Sequence, residues 1–230
     1  MRSEEQLHSN IRNFFTDENH KRSVVKGSFL FREGSTANEV YFLQQGRMQI
    51  SKVIPDGREI SLRMTSEGDV IGDFTLFCGT STHSMNCKAL ENCTVYSLPK
   101  SIFEQKLARN PELTIEWLKW VQLQNRRNET KFRDLILHGK KGALYSTIIR
   151  LANSYGKATP DGIVIDLPLT NQELANFCGT SREVVNRLLN ELKKEGVLSL
   201  EKGYVTLHRL QFLKDSIECE DCPIEVCQIH

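Results

Sequence analysis

The chain has 230 residues, 39% hydrophobic and 26% charged, which is the balance of a folded protein with room for two ordinary domains and not of a disordered one. A formal net charge of +1 is too close to zero to announce a nucleic-acid partner by itself. No apolar run approaches the ~20 residues of a membrane-spanning helix, and the start MRSEEQLHSNIRNFF lacks the apolar core of a signal peptide, so a cytoplasmic chain without membrane contact is expected.

The first dozen residues suit a short amphipathic helix. From Ser23 to Leu98 the pattern turns to strands: Val24-Val25, Phe29–Phe31, Val40–Leu43, Met48–Ser51, Ile60–Arg63 and Thr94–Leu98 are short β-branched or aromatic runs punctuated by glycine. Pro55-Asp56-Gly57 between two of them is a hairpin turn, and strands at this spacing predict a rolled antiparallel sheet. After Pro111 and as far as His138 there is neither proline nor glycine. Leu118, Val121, Asn125, Asn128, Phe132 and Leu135 advance in alternating steps of three and four, the seam of a coiled coil in which the asparagines fix register. Trp117 and Trp120 are expected to face the sheet while the seam meets a second copy of the chain. Gly139-Lys-Lys-Gly142 is the expected hinge. A helix over 143–155 and a strand over 163–167 follow.

Thr170 is placed to cap a helix, with Glu173 as the capping-box partner, and Leu174, Ala175 and Phe177 supply its buried face. Cys178-Gly179 ends that helix, and Thr180 or Ser181 caps a second with Val184, Val185, Leu188, Leu189 and Leu192 inward. Two short helices joined by a glycine turn present the second to a major groove. Thr180, Ser181, Arg182, Glu183, Asn186 and Arg187 are the candidate DNA-binding residues: arginine forks onto guanine and a carboxylate accepts from cytosine N4. A solvated Glu183–Arg187 pair would explain those charges but not the two caps, the tight turn and the following hairpin, 198–207, which reads as a wing.

The seven cysteines stand at 78, 87, 93, 178, 219, 222 and 227. Disulfides are not expected in a reducing compartment. Cys78, Cys87 and Cys93 read as small core or loop residues, whereas Cys219-x2-Cys222-Pro-x3-Cys227 can wrap one metal centre. Zinc held with His230, or a redox dithiol serving an electron-transfer protein, competes with an iron–sulfur cluster on spacing alone. Nothing resembles a nucleophile–base pair, a phosphate loop or a metalloprotease helix, so an enzyme is not expected.

The roll, the long helix and the segment Ser181-Arg-Glu-Val-Val-Asn-Arg-Leu-Leu189 together resemble the cyclic-AMP receptor protein / fumarate–nitrate regulator (Crp/Fnr) family of bacterial transcription factors over nearly the whole chain. The resemblance implies that Glu183 and Arg187 read DNA and that Arg182 suits a palindromic TGTGA-like operator, with RNA polymerase as a further partner. Residues 72–84, where cyclic-nucleotide-binding members carry a phosphate arginine, contain none, and His83 stands in its place. Cyclic-nucleotide binding is therefore not expected. The tail is similar to the Bacillus-type branch of the family, whose C-terminal cysteines hold a [4Fe-4S] cluster with a helix aspartate. Carried onto Arg133-Asp134-Leu-Ile-Leu-His-Gly-Lys-Lys-Gly142, this implies Asp134 as the fourth ligand beside Cys219, Cys222 and Cys227.

The expected architecture is α+β: a β-roll over 1–109, a dimerisation helix over 110–139, a winged helix-turn-helix over 140–214 and a cluster-binding tail over 215–230. The expected function is an oxygen-responsive homodimeric regulator of anaerobic gene expression; the alternative is a zinc- or thiol-responsive regulator of the same family.

Overall fold

The computed structural model describes Asn13, Phe15 and residues 20–72, 76–78 and 82–230. The amphipathic helix expected at the start lies outside the described residues.

Eight strands form two four-stranded antiparallel sheets. One has the order β1 (Lys21–Val24), β8 (Cys93–Pro99), β3 (Glu39–Gln45), β6 (Val70–Ile71); the other has the order β2 (Phe29–Phe31), β7 (Asn86–Ala89), β4 (Met48–Val53), β5 (Glu59–Thr65). The unbroken apolar run Val40–Leu43 arises because β3 is covered on both faces. Tyr41 and Leu43 pack with Phe31, Met48, Ile50, Cys87, Ala89, Cys93 and Val95. Val40 and Phe42 point the other way, into a cluster with Leu98, Phe103, Leu107, Leu113, Trp117 and Trp120. The β4–β5 hairpin turns at Gly57, whose N–H donates to the Ile54 carbonyl at 2.9 Å and whose φ of +86° explains the glycine.

A helix not anticipated from the sequence, α1 (Lys100–Arg109), follows directly on β8 and buries Phe103 and Leu107. Asn110 then accepts from the Leu113 N–H at 3.1 Å, and Pro111 opens α2 (Pro111–Tyr155). Both tryptophans face inward as expected, stacked at 4.9 Å between ring centroids, with Phe103 edge-on to Trp117. The hinge is narrower than the sequence suggested. Only Gly139 leaves helical geometry, at φ +59° and ψ −152°. Gly142 stays helical and serves close approach: a Cβ there would meet the Asp134 carbonyl oxygen at 2.9 Å.

The chain divides into two compact units, one comprising residues up to Gly57 with Leu62–Gln122, the other Arg58–Ser61 with Leu123–His230. The second contains β9 (Gly156–Thr159), β10 (Gly162–Ile165), α3 (Asn171–Phe177), α4 (Arg182–Lys194), β11 (Leu198–Glu201), β12 (Tyr204–Leu207) and α5 (Leu210–Ser216). Its four strands pair in the order β11-β12-β10-β9. No helix among the described residues is long and apolar enough to cross a membrane.

Candidate nucleic-acid interface and cysteine tail

The two short helices form as their caps dictate. Thr170 Oγ1 accepts from the Glu173 N–H at 3.2 Å while the Glu173 carboxylate accepts from the Thr170 N–H at 2.7 Å, closing the capping box. Gly179 takes φ +57° after α3, and the Thr180 N–H returns to the Ala175 carbonyl at 3.1 Å. Of the two candidate caps for α4, Ser181 holds the position, its hydroxyl accepting from Val184 N–H. Val185, Leu188, Leu189 and Leu192 are buried; Val184 and Phe177, expected inward, are only half-buried, because each lies at the edge of its helix's apolar stripe.

Arg182, Glu183, Asn186 and Arg187 are all exposed on the first two turns of α4, while Thr180 is half-buried in the turn. The Glu183 carboxyl is held below the usual carboxylate range, first by its own backbone N–H and then by the Ser181 hydroxyl, and so stays an acceptor. Arg187 does not pair with Glu183, the alternative reading of that spacing; it donates to Glu191 at 3.3 Å, one turn on. Asn171 Nδ2 donates to Asn186 Oδ1 at 3.1 Å, so α3 orients one of the four candidate side chains, a contact the sequence did not disclose. The wing turns at Lys202-Gly203 with φ of +50° and +85°, the positive pair that a two-residue hairpin turn requires.

Along α2 the seam is bare in the single chain. Leu118 is 55% and Phe132 65% exposed; Asn125, Asn128 and Leu135 are also exposed, and Val121 is half-buried. Exposed apolar residues at both ends of one helix face, with two asparagines between them, have the pattern of a face that a second helix covers.

The tail is folded back onto the two arms of α2 beside Gly139. Val226 and Ile229 are buried. Arg127 Nε donates to the Glu225 carbonyl at 2.7 Å and Arg127 Nη2 to Gln228 Oε1 at 2.9 Å. Asn153 Nδ2 donates to the Cys227 carbonyl at 2.8 Å, and Ser154 Oγ accepts from Ile229 N–H at 3.1 Å. Asp134 is buried, not an exposed helix carboxylate as an ordinary surface position would have it. Its Oδ1 accepts from Arg133 Nη2 at 2.8 Å and from Nε at 3.1 Å; its Oδ2 accepts from the Ser146 hydroxyl and from Arg150 Nη2 at 3.2 Å. Arg133 also pairs with Glu220 of the tail.

Cys219, Cys222 and Cys227 are free and half-buried. Burial pushes the Cys227 thiol up, against Arg150, which favours its thiolate; Cys219 and Cys222 lie near enough to raise it further. Glu218 and Asp221, the residues preceding Cys219 and Cys222, both take positive φ, +46° and +47°. The turn at Glu218 ends α5: the Cys219 N–H returns to the Lys214 carbonyl at 3.0 Å and the Glu218 N–H to the Asp215 carbonyl at 3.3 Å, a left-handed helix cap that sets where Cys219 leaves the helix. No three His, Cys, Asp or Glu side chains among the described residues converge as ligands of a single ion, and His230 lies edge-on to Tyr155 at 5.3 Å. Of the remaining cysteines, Cys87, Cys93 and Cys178 are buried and Cys78 is exposed. His83 is buried and stacks on Phe31 at 3.7 Å.

Comparison with known proteins agrees with this layout. Residues 21–110 match the cyclic nucleotide-binding domain family and 143–216 the Crp-like helix-turn-helix domain family. The chain is 46% identical to the anaerobic regulatory protein of Bacillus subtilis over 91% of this chain and 88% of that one. It is 31% identical to the global nitrogen regulator of a Nostoc species over 78% and 81%. Among solved structures, the c-di-GMP-responsive global regulator CLP of Xanthomonas campestris superposes with a TM-score of 0.75 at 22% identity, covering 87% of this chain and 98% of that one, which shows a shared fold. Two-sheet roll, long helix, winged helix-turn-helix and 46% identity over nine-tenths of the chain lead to one assignment: the chain belongs to the Crp/Fnr family of DNA-binding transcription regulators, a family of regulators and not of enzymes.

Proposed function

We propose that the protein is an oxygen-responsive regulator of anaerobic gene expression, working as a homodimer on a palindromic TGTGA-like operator and in concert with RNA polymerase. The observation that carries the sensing role is the packing of the three-cysteine tail against the part of α2 that bears Asp134. The name of the Bacillus subtilis relative, an anaerobic regulatory protein, points the same way.

The donor chemistry, three thiols and a carboxylate, suits a [4Fe-4S] cluster: Cys219, Cys222 and Cys227 would hold it, with Asp134 as the fourth ligand. Three thiolates and a carboxylate gather negative charge, and Arg133, Arg150 and Lys214 stand around them. Asp134 already accepts four hydrogen bonds, filling its lone-pair sites. It therefore ligates only by giving up a bond, and Arg133, which has Glu220 as a second partner, is the donor most easily released. When bound, the cluster supplies an oxygen-labile iron–thiolate group. The protein's own part is to keep the thiols together, to counter their charge, and to tie Asp134 and the tail to the helix that leads into the winged domain.

Specific binding follows from the exposed first turns of α4. Arg182 and Arg187 are forked donors, Glu183 is an acceptor, and two such helices ~34 Å apart read a two-fold operator. The exposed seam from Leu118 to Leu135 supports the dimer that this needs. A cyclic nucleotide is not expected to be the signal: residues 72–84 lack an arginine, and His83 is occupied against Phe31.

Anaerobic reconstitution with iron and sulfide, followed by iron, acid-labile sulfide and visible absorption, tests the proposal. About four iron and four sulfide per subunit, with absorption that bleaches in air, is the expected result. Operator affinity at matched salt should be higher with the cluster. Equal affinities would remove oxygen sensing, and tight zinc without labile sulfide would replace it with a zinc- or thiol-responsive regulator.

A further inference from the structure

We propose that Arg150 is the positioning residue of the cysteine tail, and that it keeps the tail seated when no metal is bound. Its guanidinium, 3% exposed, meets three separate stretches of chain at once. Nε donates to Ser146 Oγ at 3.1 Å, Nη1 to the Val226 carbonyl at 3.1 Å, and Nη2 to Thr130 Oγ1 at 3.0 Å and Asp134 Oδ2 at 3.2 Å. One rigid fork therefore joins the arm of α2 before Gly139, the arm after it, and the tail. An ammonium, a single point of charge, cannot span those directions.

Three neighbouring contacts share a property with this one: they take the tail by its main chain, beside side-chain contacts such as Arg127 to Gln228 and Arg133 to Glu220. Arg127 holds the Glu225 carbonyl, Asn153 the Cys227 carbonyl, and Ser154 the Ile229 N–H. Val226 and Ile229 add apolar burial. Main-chain capture fixes where residues 225–229 lie without calling on metal ligation, so the seat of Cys227 exists before a metal arrives. Asp134 and the Val226 carbonyl hang on the same guanidinium, so a change in the partners of Asp134 is felt by the tail directly. Loss of a metal then alters the bonding inside a seated tail and does not cast the tail off. The seating stands apart from the oxygen-sensing proposal; its use in sensing rests on that proposal.

Hydrogen–deuterium exchange on the reduced, chelator-treated full chain tests it with no metal present. The amides of Val226, Cys227 and Ile229, bonded to the Pro223 carbonyl and Ser154 Oγ, should be protected. Arg150→Gln should speed their exchange roughly tenfold or more, the loss of one charge-assisted hydrogen bond, while amides of α4, β10 and β12 keep their wild-type rates. A general loss of fold would move both sets. Arg150→Lys, which restores charge without the fork, should stay as fast as Arg150→Gln. If Arg150→Gln does not fold, Arg127→Gln and Asn153→Ala decide: each removes a main-chain contact and should speed exchange at 225–229. Wild-type tail amides exchanging at the rate of an unstructured peptide until iron and sulfide are added would overturn the proposal, as would unchanged protection in the variants.

Discussion

Replacing Asp134 by alanine should destabilise the metal-free protein, quite apart from any role as a ligand. The Asp134 and Arg150 side chains are 5% and 3% exposed, so the substitution strands a buried guanidinium. Breaking a buried pair from one side costs roughly 3–5 kcal/mol. Arg150 keeps the Val226 carbonyl, Thr130 and Ser146, which places the loss near the lower end, about 3 kcal/mol. The second partner, Arg133, retains Glu220 and is more exposed, so its loss adds little. Urea slopes of about 1–3 kcal/mol per molar turn such a loss into a midpoint shift on the order of 1–3 M. The assay separates the two units of the chain, because both tryptophans lie in the core of the first while Asp134 belongs to the second. Helical circular dichroism should show an earlier transition, and tryptophan fluorescence should keep its own midpoint. Asp134→Asn combined with Arg150→Met should recover only part of the loss: a neutral pair strands no charge, but the Val226 carbonyl, Thr130 and Ser146 lose the guanidinium. A single-variant loss under about 1 kcal/mol, or equal shifts in both signals, would refute the reasoning.

Three further outcomes are expected. Arg187→Ala and Glu183→Ala should each weaken operator binding by roughly tenfold or more, the worth of a lost base contact, while binding to unrelated DNA at the same salt changes far less; equal losses on both in fluorescence anisotropy would reduce these residues to phosphate contacts. Phe132→Glu puts a charge on the bare seam and should give monomers in sedimentation velocity, whereas a charge reversal at exposed Glu129, Glu129→Lys, outside the seam residues, should leave the dimer intact. Burial pushes the Cys178 thiol up to about 12, so mild alkylation at pH 8 should reach Cys78 and spare Cys178 in the native chain. The folded state holds that proton while the unfolded thiol releases it near pH 9, so this residue's contribution lowers stability as pH rises above about 9.

Local chemistry alone determined much of this protein. The capping box at Thr170, the glycine turn at Gly179, the apolar stripe of α4 and the wing turn are short-range patterns, and they appear where the sequence reads them. The inward tryptophans were legible for the same reason, since a helical period separates the sheet-facing side from the seam. The strands of the roll were legible as runs, but their pairing was not: β3 lies between β8 and β6, partners remote in sequence, and chain closure alone selects them. Helix α1 carries little local signal: Pro99 offers it no side-chain cap, and only Phe103 and Leu107, a helical step apart, are buried.

At the tail the division is sharpest. Cysteine spacing marks Cys219, Cys222 and Cys227 as a set, and resemblance marks Asp134, but neither reveals Arg150, Ser146, Arg127 or Asn153. Nothing in the sequence distinguishes Arg150 from the arginines that face solvent. Only the fold at Gly139, which brings the second arm of the helix back against the first, buries that guanidinium between Asp134 and the Val226 carbonyl, and a buried charge must take every partner within reach.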